Sequence, residues 1–482
     1  MKFPDIPFYQ GWGAPHRVES DIRDLEVVQG EIPSALNGTL YRCGPDRQYP
    51  SMWPEDVFID GEGMAHMFRF ENGHVDYRSR WIRNERFLLQ EQARRSLFGR
   101  YRNRYTNDSS VAGKSMGTAN TNVVWHGNRL LVLKEDSLPV EVDPHTLNTL
   151  NEWNFDGSVK TVSLTAHPKL DLHLNELLMF SYQAAGDATR DFAFFIAGVD
   201  GRINHEMWFE MPYPCMVHDF AVSEDHVVVP FFPLITDLEV LKQGGPFYQW
   251  HPDELSHYAI FPRRGGSDDI RWYRGPAVSA GHMLNAVTRD DGSRVDFELC
   301  LYQGNCFDFF PSADGTPYRP CPPQLTRLTF DLNGGNGDFE SQTLITNPCE
   351  MPKPDDRYIG KPFRYGYFIC RSPQARAGDM GMGAIGRYDR ENDELKTWSP
   401  GPDCGVHEPQ FVPARQGAAE GEGYLLVIIN RLPEMRSDVA ILNAQDLEAG
   451  PIALIRMPTR VRSTFHGMWV PAEALEAGRY VI

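Results

Sequence analysis

Hydrophobic residues in this chain fall into short runs rich in β-branched and aromatic members, and each run is punctuated by glycine, proline or an Asp/Asn turn. Val123-Val124-Trp125 and Leu130-Leu131-Val132-Leu133 flank His126-Gly127-Asn128, a hairpin signal. A related device closes Val142-Asp143-Pro144-His145-Thr146-Leu147, Gly198-Val199-Asp200-Gly201, Phe330-Asp331-Leu332-Asn333-Gly334, Tyr388-Asp389-Arg390-Glu391-Asn392 and Leu442-Asn443-Ala444-Gln445-Asp446-Leu447. In each, a strand meets a polar turn and a second strand follows. The turns at 143, 200, 331, 389 and 443 are 57, 131, 58 and 54 residues apart, with one turn hidden in the long gap. A strand-built unit of roughly 55–60 residues predicts the blades of a β-propeller, an all-β fold.

Two stretches break the pattern. Phe87 to Arg100 is amphipathic and predicts a helix; Phe231 to Trp250, with Pro233 and Gly244-Gly245-Pro246, predicts a long loop. Insertions at about 87–118 and 231–265 would form a loop and helix cap over the axial opening, where function tends to reside. Residues 1–482 are otherwise expected to form one propeller domain.

Four histidines share the period. His167, His218, His282 and His466 are separated by 51, 64 and 184 residues, or one, one and about three units. Inner strands of a propeller converge on its axis, so one histidine from each of four blades would meet there. Four imidazoles without a thiolate suit a divalent transition metal and leave positions open for small ligands. Glu350 and Glu408 lie at compatible places and Glu135 ends a strand, available to orient the histidines. A single histidine is more often a core or surface residue than a ligand. His66, His126 and His407 also sit beside glycine-rich or charged turns, and spacing alone leaves them in play.

Composition narrows the partners. A net charge of −18 repels nucleic-acid backbones and anionic lipid. No apolar run is long enough to span a membrane, and Met1-Lys2-Phe3-Pro4-Asp5 has no signal-peptide character, which predicts a cytoplasmic protein. The eight scattered cysteines suit reduced thiols.

Gly38-Thr39-Leu40-Tyr41-Arg42-Cys43-Gly44-Pro45, Asp60-Gly61-Glu62-Gly63-Met64-Ala65-His66, Asn120-Thr121-Asn122-Val123, Thr165-Ala166-His167-Pro168, Val217-His218-Asp219-Phe220, Glu408-Pro409-Gln410-Phe411-Val412-Pro413 and Phe465-His466-Gly467-Met468-Trp469-Val470-Pro471 together resemble the carotenoid cleavage oxygenase family over nearly the whole chain. Cys43 stands where that family has Asn. The resemblance implies seven blades and one axial non-haem Fe(II) per chain. It implies iron-binding His167, His218, His282 and His466, with Glu135, Glu350 and Glu408 orienting the last three. The implied reaction is cleavage of a carbon–carbon double bond by O2 into two carbonyl products.

Lys134 and Tyr101 resemble the pair that marks the stilbene-cleaving, lignostilbene dioxygenase branch, where they bind a phenolic 4-hydroxyl. A lysine and a tyrosine hydroxyl would stabilise a phenolate whose charge activates the alkene. Strand alternation puts Lys134 and Glu135 on opposite faces, so both serve one site only if the strand ends or bends there. Phe58, Thr121 and Phe307 are further candidates for the cleft walls. The expected substrate is a 4-hydroxystilbene or a phenylpropenoid such as isoeugenol. An apocarotenoid is the alternative, and a non-catalytic binding propeller the alternative of another class. The charged residues Glu91, Arg94, Arg95, Arg100, Arg102 and Arg104 argue against deep lipid insertion. The resemblance also raises a homodimer, for which no stretch declares an interface.

Overall fold

The polar turns owe their regularity to one hydrogen bond. In a computed structural model describing residues 1–6, 9–53, 56–289, 292–334, 337–375 and 381–481, the side chains of Asp143, Asp200, Asp331, Asp389 and Asn443 each accept from the backbone N–H two residues on. That closes an Asx turn without help from the rest of the fold. All five turns join the third to the fourth strand of an antiparallel sheet, four-stranded in four cases and six-stranded for Asn443.

Those sheets are the blades of a seven-bladed β-propeller. Blade 2 spans Asn122–His126 to Thr149–Glu152, blade 3 Lys169–Asp171 to Ile203–Glu210, and blade 4 Ala221–Val222 to Arg271–Gly275. Blade 5 spans Ser279–Arg289 to Phe339–Ile345, and blade 6 Cys349–Lys353 to Glu394–Trp398. The other two blades are composite. Blade 1 takes its inner strand from Gly467–Pro471 and the next three from Gly38–Asp46, Glu62–Glu71 and His74–Trp81. Blade 7 (Cys404–Val406 to Pro451–Arg456) is completed on its outside by Glu26–Gly30. Two separate strand pairings therefore close the ring.

The turn hidden in the long gap belongs to blade 4. It joins Ser256–Pro262 to Arg271–Gly275 through Gly265, Gly266 and a 3-10 turn at Ser267–Asp269. Its aspartate, Asp269, comes at the end and accepts from Gly266 N–H, so the Asx signature is missing where the strand exits.

Antiparallel alternation sorts the connections between two ends of the ring. Inner strands begin at one end, the upper end. Links from strand two to three and from strand four to the next blade lie there, and the Asx turns lie at the lower end. The upper links form the cap. The helix expected over 87–100 is shorter, Glu85–Ala93: Asn84 caps Phe87 N–H, and Arg94 turns left-handed (φ 57°). Leu97 and Phe98 are then freed to pack with Val111. The insertion expected at 231–265 is also shorter, because residues 256–262 are the third strand of blade 4. Within it, Leu234–Ile235 pairs with Gln249–Trp250 around a helix at Leu238–Lys242. A third cap segment, 303–323, links strands two and three of blade 5. Among the described residues, no helix is long and apolar enough to cross a membrane.

Candidate metal centre and substrate cleft

Each blade delivers one polar residue to the upper end of the axis. His167, His218 and His466 immediately precede the inner strands of blades 3, 4 and 1, and His282 lies in that of blade 5. Glu350 lies in the inner strand of blade 6, and Glu408 lies between Cys404–Val406 and Gln410–Pro413, the two segments that pair with Gly423–Arg431 on the inner side of blade 7. Blade 2 departs from the pattern: Glu135 follows its second strand, Arg129–Leu133, which exits at the same end. The strand stops at Leu133, so Lys134 and Glu135 are released from alternation and their side chains approach to 3.9 Å.

The four imidazoles are brought together, each offering a nitrogen within 4.8 Å of the others. His167 Nε2 is 3.1 Å from His218 Nε2, which is 3.4 Å from His282 Nε2. His282 Nδ1 lies 2.6 Å from Glu350 and His466 Nδ1 2.8 Å from Glu408. A carboxylate takes the Nδ1 hydrogen, so the Nε2 lone pairs turn inward. His218 Nδ1 makes a looser 3.5 Å contact with Glu135. Among the described residues, no carboxylate pairs with His167; its backbone N–H donates to Thr165 Oγ1. Converging lone pairs ringed by three buried carboxylates form a donor set that is incomplete without a cation. The residues therefore fit a metal centre.

Electrostatics agree with that reading. Burial and the other three histidines hold His167 far below the usual imidazole range. Burial holds His466 down to about 4, against the pull of Glu408. Burial works the same way on His282, but Glu350, Asp219 and Glu408 together outweigh it and raise the group. Burial acts to raise Glu135, yet Lys134, His218 and Arg102 together keep it well below the carboxylate range.

Several supporting residues escaped the sequence reading. Arg42, fully buried, donates to Glu408 (2.7 Å), Thr464 Oγ1 (3.3 Å) and Phe465 O (2.7 Å), locking the His466 loop. Tyr302 donates to Glu350 at 3.2 Å. Asp219 accepts from Lys169 of blade 3 and Met283 N–H of blade 5, fastening the strands around His218. Arg42 and Asp219 lay in quoted motifs without a role, and nothing local marked Tyr302. Gly281 has a steric reason: a Cβ there would lie 2.5 Å from Glu350 Oε1. Cys43 is buried with its thiol 3.5 Å from Ala119 O, a structural position.

A cavity and an aromatic cluster flank the ring. Below it, a cavity of about 300 Å³ touches His167, His282 and His466 and reaches exposed residues such as Arg415 and Val481. None of Phe58, Tyr101, Lys134 and Phe307 lines it. These four belong to the capped side. Phe307 stands edge-on to His218 at 6.1 Å between centroids, Phe58 packs on Phe309 and Phe465, and Tyr101 faces Phe310 at 6.0 Å. Thr121 instead accepts His466 N–H on its carbonyl and spends its hydroxyl on Asn120. At the far end of this aromatic wall, the Tyr101 hydroxyl is buried with no hydrogen-bond partner among the described residues, and Lys134 Nζ lies 5.5 Å from the Tyr101 ring centroid. Burial, followed by Glu135, pushes Tyr101 well above the phenol range, so its O–H remains a donor.

The chain is similar to known proteins along almost its full length. The family model described as RPE65, retinal pigment epithelial membrane protein, matches residues 13–471. The isoeugenol monooxygenase of Pseudomonas nitroreducens is 40% identical over 467 residues, covering 95% of this chain and 96% of that protein. Lignostilbene-alpha,beta-dioxygenase isozyme III of Sphingomonas paucimobilis is 36% identical over 486 residues, covering 98% and 99%. The crystal structure of Pseudomonas brassicacearum lignostilbene dioxygenase superimposes with a TM-score of 0.94 at 42% identity, covering 98% of this chain and 100% of that one.

Proposed function

This chain belongs to the RPE65/carotenoid cleavage oxygenase family and is a C=C-cleaving oxygenase, and from that premise we propose that it uses one Fe(II) to cut the central double bond of 4-hydroxystilbenes, or the side-chain double bond of related phenylpropenoids, into two carbonyl products. His167, His218, His282 and His466 hold the iron, with Glu135, Glu350 and Glu408 fixing three of them. Bound there, Fe(II) supplies the redox chemistry that activates O2. The chain's own work is to bind and polarise the alkene. Phe58 and Phe307 sandwich the flat substrate between the histidines and the phenolic end, while Tyr101 donates to the 4-oxygen and Lys134 neutralises it. A phenolate so held pushes electron density through the ring onto the double bond, which is then the better partner for O2.

The observation that carries this reading is the buried, unpartnered Tyr101 hydroxyl beside Lys134, at the end of an aromatic wall that begins on His218. An unmet buried donor costs stability, so its retention points to a ligand oxygen. Iron-loaded protein in air should cleave a 4-hydroxystilbene rapidly and leave its 4-methoxy analogue, with the aldehydes identified by mass. Equal cleavage of both would remove Tyr101 and Lys134 from the reaction. Cleavage of neither would remove the substrate class.

A further inference from the structure

The three carboxylates behind the histidines do not grip alike. Glu350 and Glu408 lie 2.6 and 2.8 Å from their imidazoles, whereas Glu135 Oε1 is 3.5 Å from His218 Nδ1. Glu350 and Glu408 are also pinned from behind, by the Tyr302 hydroxyl and by Arg42. Glu135 has no such pin. It is 1% exposed, yet among the described residues neither of its oxygens has a hydrogen bond, and nor does His218 Nδ1. A buried carboxylate in that state is tolerated only where cations stand close to it.

Lys134 and Arg102 are those cations. Arg102 is committed to neighbours of its own: Nη1 donates to the hydroxyls of Tyr182 and Tyr248, 2.6 Å each. Lys134 is not. Its Nζ is 3.9 Å from Glu135 Oε2, beyond hydrogen-bond reach, and makes no hydrogen bond among the described residues. Asp136 also faces both cations, but it has the N–H and hydroxyl of Thr118 as donors. Glu135 is thus drawn one way through Oε1, toward the histidines, and the other way through Oε2, toward Lys134 and the Tyr101 end of the cleft. His218 is fixed at the head of an inner strand, whereas Lys134 follows the end of a strand with no bond to hold its side chain.

We propose that Glu135 is a positioning residue shared between the substrate cleft and the metal centre: when a phenolic oxygen engages Lys134, Glu135 loses a competing cation and closes on His218, so that substrate binding tightens the hold on iron. The inference rests on the phenolic reading above and adds to it a line of communication between two regions that are otherwise built separately. With the cleft empty, His218 is the least firmly oriented of the three carboxylate-backed histidines; with it filled, all three are held alike. Such coupling is reciprocal, so iron tightens the phenol by the factor by which the phenol tightens iron.

The test is Fe(II) affinity, read by competition with a chelator under argon, with and without saturating 4-hydroxystilbene, which binds there without being cleaved. In the unaltered protein the phenol should tighten iron about fivefold or more. Lys134→Met removes the competing cation for good and should hold iron more tightly than the unaltered protein with no phenol present, a gain that a merely structural lysine would not give. Glu135→Gln should abolish both effects: the phenol no longer tightens iron, and adding Lys134→Met makes no further difference. Iron affinity that ignores the phenol in the unaltered protein overturns the proposal, and that reading does not depend on how any variant folds. Either effect persisting undiminished in Glu135→Gln overturns it too, because the phenol would then be blocking iron release, or Lys134 repelling the metal, without Glu135. If the unaltered protein neither binds nor cleaves the phenol, the substrate reading falls along with this one; if it does both and iron affinity does not move, this one falls alone.

Discussion

The histidine ring and the proposed phenolic end at Tyr101 and Lys134 are built in opposite ways. The ring draws one residue from each of seven blades, at equivalent points of a repeated unit, and its partners reach across blade boundaries by short hydrogen bonds. The phenolic end draws on the irregular links: loop 100–103, the exit of one strand at Lys134, and the segment carrying Phe307, Phe309 and Phe310. On the proposed reading, repetition places the chemistry that every substrate would need, and the links between strands decide which substrate meets it. The two regions should therefore fail separately when altered.

The largest separation is expected from ligand and cleft variants compared side by side. His466→Ala should purify with little iron and no turnover. Glu408→Gln should bind iron about 10–100-fold more weakly in competition with a chelator, and Glu135→Gln less so, since its contact is the loosest of the three. Tyr101→Phe and Lys134→Met should keep full iron content and lose about 100-fold in kcat/KM for the phenolic stilbene. Iron loss in either would mean the two regions are not independent.

A finer cut comes from Gly281→Ala, whose new methyl group meets Glu350 Oε1. Iron affinity should drop about tenfold with the substrate KM unchanged, as read by chelator competition and steady-state kinetics. The smallest effect is expected for Phe307→Ala. One lost aromatic wall should lower kcat/KM about three- to tenfold through KM, leaving iron untouched.

The same contrast governs what could be read from the chain. The blade period was visible because each of five turns uses an Asx bond that needs only local sequence, and the histidines inherit that period. Blade 4 hid its turn because Asp269 caps the end of the turn. Glu135 was out of phase because it leaves a second strand where the others enter or precede a first; only the alternation of strand directions brings it to the same end. The contacts of Arg102, Asp56 and Tyr302 were invisible for a different reason. Arg102 donates to the Tyr248 hydroxyl, Asp56 accepts from Tyr101 N–H and Tyr302 donates to Glu350, across separations of 146, 45 and 48 residues that follow no period. The seven-bladed count and the roles of Tyr101 and Lys134 came from resemblance, which carries what spacing cannot. The cap was foreseen in two pieces, the first (87–118) lying inside the link 82–121 and the second (231–265) running too far, and its third piece, 303–323, carries Phe307.

The inner strand of blade 1 comes from residues 467–471, and that has a bearing on biosynthesis. A nascent chain holds Glu135 and the first three histidines long before His466 leaves the ribosome, and at 5–20 residues per second the delay from Glu135 is on the order of half a minute. Blades 2 to 6 can form in that interval, but the four-histidine set stays incomplete. The closing strand and the fourth histidine arrive as neighbours, so ring closure and completion of the site become one event of maturation.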